Sequence, residues 1–218
     1  MTDPKTLHEE DWTRTKASDS FYADSPRYPD IAGVITALAP KRLLDVGCGS
    51  GYLASLVKAG CPGVSMDGAD ISEVALKRAE KHFMRVWQVN LDVAPLPAES
   101  AAYDTAVCTE VLEHLYDPGH ALAEICRCLA PGGKLVVTVP NMLFWRYRLQ
   151  LLLGVVPSPV SDPRHLHVFT PGLLSGVICG AGFKVERILG HGVRFRTLAR
   201  SWPGLFSDVL IGIAVKHG

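Results

Sequence analysis

The chain has 218 residues, with 22 Lys+Arg against 22 Asp+Glu, so its formal charge is zero. Hydrophobic residues make up 48% and charged residues 20%, a balance that excludes a disordered chain and a uniformly basic nucleic-acid-gripping surface. A chain of this length buries about 70% of its unfolded surface on folding and needs no disulfide or metal to hold together.

Residues 1–14 are polar and lack an apolar h-region, so no signal peptide is expected. The predicted elements then alternate. Arg42–Val46 is a short apolar strand, followed by a Gly-rich turn and a helix over Tyr52–Ala59. Val64–Ala69 reads as the second strand and ends at Asp70-Ile71-Ser72, where Ser72 caps a helix over Glu73–Phe83. Val86–Val89 and Tyr103–Thr109 are the third and fourth strands. Asp117-Pro118 pairs a cap with an N1 proline and opens a helix to Leu129. Pro131-Gly132-Gly133 stops that helix, and Lys134–Val139 is the fifth strand. Thr170-Pro171 opens a helix that ends near Gly180, and Phe183–Leu189 and Val209–Val215 are the last two strands. Strands alternating with helices predict a doubly wound, mainly parallel α/β sheet. The final pair, with no obvious helix between, is consistent with an antiparallel ending.

Six cysteines are present, none in a C-x-x-C pair and most inside apolar runs, as expected for reduced thiols in a cytoplasmic protein. The apolar run Leu149–Val156 falls far short of the roughly 20 residues that span a bilayer, so no transmembrane segment is expected.

The chemistry begins at Leu43-Leu44-Asp45-Val46-Gly47-Cys48-Gly49-Ser50-Gly51, between the first strand and the first helix. Glycines there let the backbone turn tightly and approach a ligand at the carboxyl end of the sheet. Asp70, 19 residues past Gly51, ends the second strand, where a carboxylate suits the two hydroxyls of a ribose. A dinucleotide site wants G-x-G-x-x-G and a phosphate on the helix N-terminus. This loop is G-x-G-x-G, and Asp45 precedes it. A carboxylate repels a phosphate but favours an ammonium or sulfonium, so a cofactor with a positive centre fits better than a nicotinamide dinucleotide.

Several motifs in order carry a family likeness. Asp45–Gly51, Asp70, Asp92 with Pro95-Leu96-Pro97, Tyr103–Thr109 with Glu110-Val111-Leu112-Glu113-His114, and Leu129–Gly133 together resemble the class I S-adenosylmethionine-dependent methyltransferases, over about residues 30–190. Within that class the chain is similar to the methyltransferase type 11 and methionine-biosynthesis W-like group. The resemblance implies a Rossmann-like doubly wound seven-stranded sheet of order 3-2-1-4-5-7-6, strand 7 antiparallel. It implies S-adenosyl-L-methionine as cofactor, held by Asp45, Gly47, Cys48, Gly49, Gly51, Asp70, Ile71, Asp92 and Thr109. Asp67 is a conceivable substitute for Asp70. An aromatic N-terminal segment, Trp12, Phe21, Tyr22 and Tyr28, corresponds to the family's cofactor lid, with Tyr22 as the contact. One domain is expected over 1–218, with 1–28 as the arm and 140–169 as an insertion on the substrate side.

Methyl transfer is an in-line displacement, so alignment does most of the work, and a hydroxyl acceptor also needs a base. His114 follows strand four, and Asp162-Pro163-Arg164-His165-Leu166-His167 places two more histidines in a loop before a helix. His114 and His165 are the candidate catalytic residues, and His167 reads as structural. No metal is called for; the alternative is a divalent ion held by Glu110, Glu113, His114 and His165, a pattern similar to that of small-RNA 2′-O-methyltransferases. Met142–Leu153 reads as a core or lid helix of about three turns, with a pocket wall or an interfacial helix bearing Arg146 and Arg148 as alternatives. The acceptor expected is a small or medium-sized molecule methylated at oxygen. The rivals are an RNA-end methyltransferase, an NAD-type oxidoreductase and a non-catalytic partner subunit.

The zero charge is unevenly spread. Residues 1–139 hold 13 basic and 19 acidic groups, whereas 140–202 hold 8 basic and 2 acidic ones. That split admits an anionic acceptor, including lipid- or glycan-linked ones. The sequence leaves the oligomeric state open.

Overall fold

The computed structural model describes residues 6, 9, 12, 13, 25–191 and 196–217. Its elements, in chain order, are α1 (Arg27–Thr36), β1 (Arg42–Val46), α2 (Tyr52–Gly60), β2 (Ser65–Asp70), α3 (Glu73–Ala79), β3 (Arg85–Gln88), β4 (Tyr103–Thr109), α4 (Pro118–Cys128) and β5 (Leu129–Pro140). They continue with α5 (Trp145–Leu152), α6 (Ser158–Ser161), α7 (Pro171–Gly180), β6 (Phe183–His191), α8 (Arg196–Ser201), α9 (Pro203–Phe206) and β7 (Val209–Lys216). The strands form one seven-stranded sheet in the order β3-β2-β1-β4-β5-β7-β6, as expected. β7 runs antiparallel to both neighbours, and the other neighbouring pairs run parallel.

The central strands are buried on both faces because helices cover both. β1 shows a single exposed residue, Arg42, and six consecutive residues of β7 are buried. One core cluster packs α4 and α7 against the sheet through Leu122, Ile125, Leu174 and Ile178. The other packs α1 and α2 on the opposite face through Ile31, Ile35, Leu53 and Val57.

Local chemistry sets the helix starts. Ser72 Oγ accepts from Ala75 N at 3.1 Å, the Asp117 carboxylate from His120 N at 3.0 Å, and Thr170 Oγ1 from Leu173 N at 3.2 Å. All three caps were legible in the sequence. The helix expected over Glu73–Phe83 is shorter. It ends at Ala79, and Glu80–His82 tightens into a 3₁₀ turn that brings His82 and Phe83 beneath Gly51. The fifth strand starts earlier than expected. Leu129 already pairs with Tyr103, Pro131-Gly132-Gly133 bulges out, and pairing resumes between Thr105 and Lys134.

For the insertion, expected as a core or lid helix, the core part does not hold. α5 has eight residues and buries none of them. No helix among the described residues is long and apolar enough to cross a membrane.

Candidate active site

A cavity of about 780 Å³ opens at the carboxyl ends of β1, β2 and β4, a size usual for a small-molecule site. It is lined at one end by the β1–α2 loop and at the other by the turn after β4 and the segment following α6. Both halves that the sequence singled out therefore share one continuous space.

The first half is built around Asp70. Its carboxylate accepts Gly49 N and Ser72 N, each at 2.9 Å, so the end of β2 grips the glycine loop. Gly47 N and Cys48 N both donate to Ala69 O, at 2.7 and 3.1 Å. Gly47 has φ +76°, and a Cβ there would come within 2.1 Å of Val111 Cγ2. The glycine is needed for backbone conformation and because the turn after β4 fills the space a side chain would take. Gly47, Cys48, Gly49, Asp70, Ile71 and Thr109 all line the cavity. Gly51 caps α2 just behind it, in a left-handed conformation.

Asp45 is the electrostatic centre of this half. Its side chain is buried, and Oδ1 meets no hydrogen-bond partner among the described residues. Burial, with Asp70 adding to it, pushes its carboxyl up to about 7. An orphaned buried acceptor on a cavity wall is a place for a cationic or hydrogen-bond-donating ligand. Asp92 also lines the cavity, and its Oδ1 accepts Tyr116 N at 2.8 Å. Asp67 is settled by its partners. It binds Arg85 Nη2 and the Tyr103 hydroxyl, at 2.8 and 2.7 Å, and does not line the cavity.

The N-terminal side contributes Trp12, Arg27 and Tyr28 to the lining. Tyr22, the expected lid contact, lies outside the described residues. Arg27 was not singled out in the sequence. Its Nη1 binds Glu110 Oε2 at 3.0 Å, while its buried Nε meets no acceptor among the described residues. The one hint was a cation set at the start of a helix whose inner face is otherwise Ile31, Ala32 and Ile35.

In the second half His114 and His165 meet. Their rings lie 5.0 Å apart at 56°. His114 Nδ1 lies 3.0 Å from Arg164 O, and His165 Nδ1 lies 3.0 Å from Pro159 O. A carbonyl only accepts, so in each neutral ring Nδ1 carries the proton and Nε2 keeps its lone pair. Carboxylates flank those nitrogens, with Glu113 Oε1 at 4.0 Å from His114 Nε2 and Asp162 Oδ2 at 3.8 Å from His165 Nε2.

Backbone bonds hold the assembly. Leu166 N and His167 N both donate to Glu113 O, at 2.7 and 3.1 Å. Asp162 accepts Arg164 N, Nε and Nη2 at 2.9, 3.0 and 2.7 Å, and these bonds hold its carboxyl well below the usual range. His167 Nε2 lies 3.4 Å from Tyr116 O, and its ring sits 6.3 Å from that of Phe169.

Glu113, His114 and His165 offer three ligand atoms within 4.8 Å of one another, close enough for a divalent ion. Glu110 does not join them. It adopts φ +55°, binds Arg27 and accepts Thr138 Oγ1 at 3.0 Å. The four-ligand set considered from sequence is thus reduced to three.

A family profile described as a methyltransferase domain matches residues 25–188. A ubiquinone biosynthesis O-methyltransferase of Thiobacillus denitrificans is 32% identical over 164 residues, covering 70% of this chain and 68% of that protein. A tRNA U34 carboxymethyltransferase of Methylococcus capsulatus is 32% identical over 187 residues, covering 78% of this chain but only 53% of the relative, so the chain spans about half its length. Among solved structures, a Thermotoga maritima S-adenosylmethionine-dependent methyltransferase, described as a possible histamine N-methyltransferase, matches with a TM-score of 0.72 at 18% identity, over 98% of this chain and 100% of its own. That likeness speaks for the fold alone. With strand order, glycine loop and profile in agreement, the chain belongs to the methyltransferase-domain family, among the class I S-adenosylmethionine-dependent methyltransferases.

Proposed function

We propose that the protein transfers a methyl group from S-adenosylmethionine to a hydroxyl oxygen of a small or medium-sized acceptor. The observation that carries this is the single cavity joining the Asp45–Asp70 loop to a pair of histidines that each hold a backbone carbonyl at Nδ1. The cofactor, when bound, supplies a methyl group on a cationic sulfur. Asp45 and Asp70 give its half of the cavity the negative potential that a cation needs, with Asp70 also facing the ribose and Asp92 the adenine end. Arg27 is the lining cation for its amino-acid carboxylate, through the Nε that has no acceptor among the described residues.

His114 or His165 takes the acceptor proton at Nε2. The neighbouring carboxylate then stabilises the imidazolium that forms, and the Nδ1–carbonyl bond keeps the ring oriented. The relative named for O-methylation in ubiquinone biosynthesis supports oxygen as the acceptor atom. The acidic lining, which includes Asp45, Asp70, Asp92, Glu110 and Glu113, disfavours a phosphate backbone, so RNA is the poorer substrate. Six unbridged thiols support a reducing, cytoplasmic setting.

A second reading rests on the three converging ligand atoms, with a divalent ion lowering the pKa of the acceptor hydroxyl in place of a histidine base. Calorimetry with S-adenosylmethionine and NAD in parallel tests the cofactor; binding of the first alone is expected. Mass spectrometry of acceptor mixtures should then show a methyl-sized gain on hydroxylated molecules. His114→Ala and His165→Ala should each lower kcat by about 10²- to 10⁴-fold. Full activity in excess chelator would remove the metal reading, while loss of activity restored by added ion would establish it.

A further inference from the structure

Sixteen large apolar side chains are exposed among the described residues, and nine of them fall between Leu143 and Val160. Leu152 and Leu153, adjacent in sequence, are 82% and 70% exposed, and Val156 is 57% exposed. Tyr147 and Gln150 are half-buried, while the residues around them on α5 point outward. An apolar patch this concentrated on one short segment marks a contact surface.

The charges on it select the partner. From residue 125 to 161 the chain has no Asp or Glu. Arg146 and Arg148 are both exposed within α5. A second copy of the chain packed about a two-fold axis would bring these arginines against their own equivalents. The described part of the N-terminal arm goes elsewhere: Glu9 accepts Ser72 Oγ and Glu73 N, and Trp12 packs with Ala75. An anionic bilayer surface satisfies both features, with aliphatic side chains in its acyl boundary and guanidinium groups among phosphates.

We propose that α5 and the segment that follows it dock on an anionic lipid surface, with Leu149, Leu152, Leu153 and Val156 inserted and Arg146 and Arg148 at the headgroups. Tyr147, Ser158 and Pro159 line the cavity. Docking therefore sets the wall of the cavity against the lipid, where an amphiphilic acceptor enters without crossing bulk water. Binding needs no turnover, so it stands or falls separately from the function proposed above.

The test is co-sedimentation of the whole chain with vesicles of phosphatidylcholine alone and of phosphatidylcholine mixed with phosphatidylglycerol. The wild type is expected to sediment with the mixed vesicles and to be released as salt is raised. Arg146→Gln with Arg148→Gln should weaken binding about 30-fold, and Leu152→Ser with Leu153→Ser should abolish it. Unfolding temperatures should stay near wild type in both, since none of the four side chains is buried. A wild type that stays in solution with mixed vesicles overturns the proposal, as does undiminished sedimentation of the Leu152/Leu153 variant. A wild-type dimer that falls apart in that variant, with no vesicle binding, overturns it in favour of a second copy.

Discussion

Asp45 carries the most chemistry of any single residue. Its carboxyl is raised to about 7, mainly by burial. Between the ordinary carboxylate range and pH 7 the folded, ligand-free chain keeps a proton that the unfolded chain has released. Its contribution to stability therefore falls as pH rises through that window. Cofactor binding has the opposite sign, because a sulfonium or ammonium wants the ionised form. Affinity for S-adenosylmethionine should rise up to about tenfold between pH 6 and 8, and Asp45→Asn should bind weakly with little pH dependence. Calorimetry across that range checks both. Gly47→Ala should abolish cofactor binding and lower the unfolding temperature, because φ +76° and Val111 leave no room for a Cβ. Asp45 and Gly47 were legible because their meaning sits in nine contiguous residues. Glu110 was not. Whether its side chain joins Glu113 or turns to Arg27 is decided by α1, 83 residues earlier in the chain.

At the scale of elements, the histidine loop owes its shape to Asp162, which gathers three donors from Arg164. Asp162→Asn should loosen the loop and lower kcat by about 10- to 100-fold, with a near-wild-type unfolding temperature by calorimetry. A loss of fold rather than of turnover would contradict that assignment. Helix starts were legible because a cap is a local device, as Ser72, Asp117 and Thr170 show. Helix and strand limits set by packing were not. The end of α3 depends on Phe83 tucking under Gly51 and Gly68, and the start of β5 on Tyr103 pairing with Leu129. α5 shows a different gap. Its leucines and aromatics are interrupted by Arg146, Arg148 and Gln150, so no continuous apolar face orients it, and its sequence does not distinguish burial in a core from exposure at a surface.

Over the whole molecule the zero charge resolves into an acidic cavity and a basic exterior. Among the described residues after 139, Arg164 is the only Lys or Arg lining the cavity, and it is already paired with Asp162. Lys184 and Arg187 lie exposed on β6, an edge strand, where charge discourages pairing with other chains. The strand that joins β6 to the rest of the sheet is β7, which follows it in the chain and occupies an interior place between β5 and β6. On the ribosome, β6 is therefore made well before it has a neighbour to join. A nascent chain stalled with residue 208 as its last emerged residue should stay open to protease between α7 and α9, and one carried beyond residue 217 should become resistant. Synthesis thus has a commitment point at β7, and a chaperone has most to guard in the interval between the emergence of β6 and that of β7.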